Sequence, residues 1–90
     1  MGKETRLFKS ENRHSRSDVS RFLRELADKL DTGQVVLQQG EETLTLDLPA
    51  SLILEIQVED EDKKSKGTQH SLEVELKWYD DEQGGPVTLG

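Results

Sequence analysis

Ninety residues, 34% of them charged and 31% apolar, with a net charge of -7, make one small domain with a thin supply of core-forming side chains. The chain has no cysteine, which removes disulfides and thiolate metal sites. No apolar run approaches membrane-spanning length, and none follows Met1-Gly2-Lys3-Glu4-Thr5-Arg6 as a secretory signal would require, so the expected location is cytoplasmic and away from the membrane. Charge is uneven along the chain. Residues 1–30 hold eight basic and five acidic groups, a net of +3; residues 31–90 hold four basic and fourteen acidic groups, a net of -10. An acidic protein is repelled by duplex DNA at long range, which disfavours nucleic acid as a partner without eliminating it.

The first element predicted is a short strand over Thr5-Arg6-Leu7-Phe8-Lys9, ended by Ser10-Glu11-Asn12. A helix follows. Val19, Phe22, Leu23, Leu26, Ala27 and Leu30 recur at helical spacing and form one continuous apolar stripe. Ser15 is placed to cap it, with Asp18 three residues on completing a capping box and Ser17 an alternative cap, and Gly33 can take the left-handed conformation that closes the last turn. Arg24/Asp28 and Glu25/Lys29 lie four apart on the wet face.

Four strands are predicted beyond the helix. Gln34–Gln38 carries Val35 and Leu37 on one side, and Gln39-Gly40-Glu41-Glu42 reverses the chain into Thr43–Leu48. Pro49 lacks a ladder amide and marks the next connection. Leu52, Leu54, Ile56 and Val58 then alternate with Ile53, Glu55, Gln57 and Glu59, and the charged run 60–67 reads as a solvated loop. In the last strand Leu72, Val74, Leu76 and Trp78 alternate with Glu73, Glu75, Lys77 and Tyr79, which places apolar groups on one face and charge on the other. Residues 1–79 read as a single domain and 80–90 as a flexible C-terminal tail.

Short connections make antiparallel neighbours the simplest pairing. The expected fold class is α+β in two layers: one amphipathic helix on an antiparallel sheet of four to five strands, in β-α-β-β-β-β order, with the apolar phases of all strands sharing one core. A sheet that wide exceeds what one helix covers. Either it curls around the helix or its apolar surface meets another subunit, in which case the chain is a homodimer.

The capped helix Ser15–Leu30, Gly33 and the alternating strands ending in Trp78 together resemble the amphi-Trp domain, a small prokaryotic domain, over about residues 4–79. The resemblance implies no catalytic residues. Trp78 is its signature position and is expected to be a structural anchor.

No catalytic, cofactor-binding or metal-binding residues are assigned, and no cofactor is expected. His14 and His70 lack neighbours of ligand type at metal spacing, and the acidic run 59–62 lacks the order of an EF-hand loop. The candidate anion- or partner-binding residues are Arg6, Lys9, Arg13, Arg16, Arg21 and Arg24, clustered around the helix N-terminus, where free amides favour anions. More simply, these groups offset the acidic remainder of the chain. The expected function is a small module, not an enzyme, that binds or assembles through protein contacts or self-association. The alternative is anion or nucleic-acid binding at the arginine-rich helix start.

Overall fold

A computed structural model of the chain describes residues 2–80 and 89. The elements run α1 (Arg16–Thr32), β1 (Gln34–Gln39), β2 (Glu42–Asp47), β3 (Ile53–Asp62), a single 3-10 turn (Lys64–Lys66) and β4 (Thr68–Lys77). By its contacts the chain divides into two compact units, Met1–Leu48 and Pro49–Gly90.

In the first unit the helix begins where its free amides find a partner. Ser15 holds an extended backbone and its Oγ accepts the Asp18 N–H at 3.0 Å. The Asp18 carboxylate turns away from the cap and pairs with Arg21 at 3.3 Å. At the other end Gly33 takes φ +84°, and its N–H donates to the carbonyls of Leu30 and Lys29 at 3.1 and 3.2 Å. The Gly33 carbonyl then accepts the Leu48 N–H at 2.8 Å, so one residue both closes the helix and starts the sheet. β1 and β2 pair antiparallel through the two-residue loop Gly40-Glu41, with Gly40 at φ +60°, where a side chain would be strained. Val35 faces Leu46 and Leu37 faces Leu44 across the ladder. The helix packs on β1. Val35 is 6% exposed, while Leu26, Leu30, Leu37, Leu44, Leu46 and Leu48 are half-buried.

The second unit is a hairpin of two ten-residue strands. β3 and β4 pair over their whole length, from Ile53 opposite Lys77 to Asp62 opposite Thr68. The tip is tight: the Asp62 carboxylate accepts the Lys64 N–H at 2.8 Å, and Lys63 N–H donates to the Gly67 carbonyl at 2.8 Å. Gly67 sits at φ +82°.

The α+β class and the helix bounds agree with the sequence reading, and five points differ. Residues 5–9 form no strand, so the order is α-β-β-β-β; in a strand the adjacent Leu7 and Phe8 would point to opposite sides and give that segment no single apolar face. Among the described residues the strands form two two-stranded sheets, β1-β2 and β3-β4, and not one sheet; Pro49, in the connection between them, has no amide to donate to a ladder. The loop predicted over 60–67 shrinks to 63–67, since Asp60 and Asp62 continue β3. The expected burial of all the strands' apolar phases is not seen: among the described residues Val35 is the one buried apolar side chain. The pairs Arg24/Asp28 and Glu25/Lys29 do not close to ion-pair distance among the described residues. The tail predicted over 80–90 falls, apart from Asp80 and Leu89, outside the described residues.

Replacing Gly33 with alanine forces a Cβ into left-handed backbone and is expected to cost about 1–2 kcal/mol. The helix melting midpoint, followed by circular dichroism, should fall by roughly 4–8 °C per kcal/mol. Gly33→Asn, which tolerates that conformation better, should fall less.

Candidate functional site

Strict alternation gives the β3–β4 hairpin two chemically opposite faces. On one, Leu54 stands opposite Leu76, Ile56 opposite Val74 and Val58 opposite Leu72, three apolar rungs in succession. Leu54, Ile56, Val58, Leu72 and Val74 are each between 59% and 72% exposed. The same face continues by parity to Asp60 opposite His70 and Asp62 opposite Thr68, so an apolar strip ends in carboxylates at the hairpin tip. His70 Nδ1 lies 2.6 Å from Asp60 Oδ1.

The opposite face is polar and crowded with acid. Glu55 lies directly across from Glu75, and Gln57 across from Glu73. Like charges facing one another destabilise a ladder. Lys77 relieves this: its ammonium sits 2.6 Å from Glu55 and 3.9 Å from Glu75, one cation between two carboxylates. The hydrogen bond to Glu55 and the Glu55 charge, helped less by Glu75 and Tyr79 and opposed by desolvation, hold Lys77 above the ordinary ammonium value of 10.5.

The helix also presents an uncovered face. Arg16, Val19, Ser20, Leu23, Arg24 and Ala27 line a shallow groove along α1, and Val19, Phe22 and Leu23 are each about half exposed. The six basic residues singled out in the sequence are dispersed. Arg6, Lys9 and Arg13 lie in the irregular segment before the helix, and Lys9 approaches Glu11 at 3.8 Å. Arg21 is engaged with Asp18. Arg16 and Arg24, about 12 Å apart along α1, both line the helix groove. Trp78 directly follows β4 and is half-buried, forming a small surface depression with Leu76, Lys77 and Tyr79.

Among the described residues no three His, Asp or Glu side chains gather as a metal-binding group. No helix among them is long and apolar enough to cross a membrane. The sequence reading left open that some apolar sheet surface stays uncovered, but did not place it on this strip, because alternation assigns residues to faces without saying which face is covered. The signal that was available is the parity of Asp60 and Asp62, which share the face of Leu54, Ile56 and Val58 and are poor occupants of a closed core.

One capped helix with an antiparallel hairpin, followed by a long amphipathic strand pair that runs into a tryptophan, defines a small α+β protein whose notable surfaces are apolar. The sequence matches the family model of the Amphi-Trp domain over residues 1–89, and the chain belongs to that family. No curated protein and no solved structure matches it.

Lys77 generates a pH prediction with a definite sign. Its value is raised by folding, so its contribution is complete below the unfolded value near 10.5 and is lost as pH climbs through the folded one. Urea melts at about pH 9 and about pH 11 should find the hairpin weaker at the higher pH. Lys77→Met should lower stability at about pH 9 and lose less between the two conditions than the wild type does.

Proposed function

We propose that this chain is a small non-catalytic binding or assembly module of the cytoplasm that works through protein–protein contact at the apolar face of its β3–β4 hairpin. The observation that carries this is the three-rung ladder Leu54/Leu76, Ile56/Val74 and Val58/Leu72, which stays largely exposed while the reverse face is fully polar over the same rungs. A contiguous apolar patch on a small protein marks an interaction surface, whereas scattered single apolar residues do not. Its rim fits that role: carboxylates at the tip solvate the free surface and add specificity to a contact. In this reading Arg16 and Arg24 act as the charged border of the helix groove, with no anion site of their own.

The test replaces the central rung, as Ile56→Lys with Val74→Glu, which keeps the strands paired through a cross-strand ion pair and removes the apolar centre. Size-exclusion chromatography with light scattering is run on the purified chain and on the chain in its native lysate. The wild type should run above monomer mass in at least one setting and the double variant as a monomer in both. A wild type that is monomeric in both, and leaves a hydrophobic dye dark, overturns the proposal.

A further inference from the structure

We infer that the β3–β4 hairpin is an ionic-strength-responsive element, whose pairing tightens as salt rises while α1 does not respond. The device lies within the second unit alone and operates whatever the apolar face binds. It is built into the polar face of the hairpin. There Glu55 stands across from Glu75, Gln57 from Glu73, Glu59 from Ser71 and Glu61 from Gln69, so five glutamates share one side of a two-stranded ladder.

Cations stand only at the two ends of this face. Lys77 lies 2.6 Å from Glu55 and 3.9 Å from Glu75, and Lys63 lies 3.3 Å from Glu61 at the tip. Between them Glu59 and Glu73 have no cation at ion-pair distance among the described residues. Glu59 accepts a hydrogen bond from the Gln57 amide, which is neutral and cancels no charge. Side chains on one face of such a ladder lie about 5 Å apart directly across and about 7 Å apart on the diagonal. Over both strands seven carboxylates stand against one lysine, a net of -6 with His70 neutral.

Screening length decides the sign of the salt effect. At about 0.1 M salt charges interact over about 10 Å, which spans every glutamate neighbour on the face; at about 1 M the reach falls to about 3 Å. Repulsion at about 5–7 Å is then largely removed. The Lys77–Glu55 attraction acts at 2.6 Å, inside even the shorter length, and survives better. Salt therefore relieves more repulsion than attraction. The helix offers the opposite case. α1 carries four basic and four acidic residues, with Asp18 in its first turn, Lys29 in its last, and Asp18 paired to Arg21 at 3.3 Å. Its charges already favour the helix dipole, so screening has no repulsion to relieve there.

Amide hydrogen exchange, followed by NMR on the full chain, reads both elements in one sample and so carries its own control. Protection is taken against unfolded-chain rates at the same salt. Between about 0.1 M and about 1 M sodium chloride the interior amides of β3 and β4 should gain about threefold protection or more, and those of α1 should gain none. Glu73→Gln removes the central carboxylate and keeps the shape of the side chain. It should raise hairpin protection at about 0.1 M and flatten the salt response. Glu41→Gln, in the β1–β2 loop, removes the same charge elsewhere and should leave the hairpin response as in the wild type. Hairpin amides that stay level or lose protection in salt overturn the inference, as does an equal gain in α1. It also fails if Glu73→Gln responds like the wild type, or if Glu41→Gln flattens the response as much.

Discussion

Water can solvate one face of a period-two strand and not the other, and most of this molecule follows from that. The residues of β3 and β4 alternate so regularly that each strand is apolar on one side and acidic or polar on the other. The acidic side must then manage its own repulsion, which is the part Lys77 plays between Glu55 and Glu75. The apolar side must find cover. Charged residues outnumber apolar ones, so side chains to cover it are scarce, and among the described residues Val35 is the one apolar side chain that is buried.

The first unit meets the same demand by local means. Its helix is defined at both ends by backbone chemistry, Ser15 accepting one free amide and Gly33 satisfying two late carbonyls. Gly33 then joins helix to sheet by accepting the Leu48 amide, which fixes where β2 ends relative to the helix. That leaves the outer helix face, from Val19 to Ala27, available as a surface.

The local features were legible in the sequence and the long-range ones were not. Helix bounds, the Ser15 cap, the Gly33 closure, the Gly40 reversal and the faces of all four strands depend on neighbours within a few residues, and periodicity reads them directly. Pairing between β2 and β3 depends on which edges meet, and alternation is silent about edges. Leu7-Phe8 suggested a strand by composition, but two adjacent apolar residues serve opposite faces and give a sheet nothing to bury. For the site, the sequence pointed to six basic residues around the helix start. Two of them, Arg16 and Arg24, border a groove, and the larger apolar surface lies on strands that had been assigned to a core. The tip carboxylates on the apolar face were the missed clue.

A long exposed apolar strand is ordinarily an invitation to fibril formation, and the strand chemistry here counters it. Segments that stack into cross-β fibrils combine apolar side chains with low net charge over six or seven residues. In Leu72-Glu73-Val74-Glu75-Leu76-Lys77 no two apolar residues are adjacent, and every one is followed by an ionisable group. In-register stacking would align each glutamate with its copies about 4.8 Å above and below, a column of uncompensated carboxylates. The alternation that builds an apolar face on each strand thus also penalises the endless stacking of that strand on copies of itself.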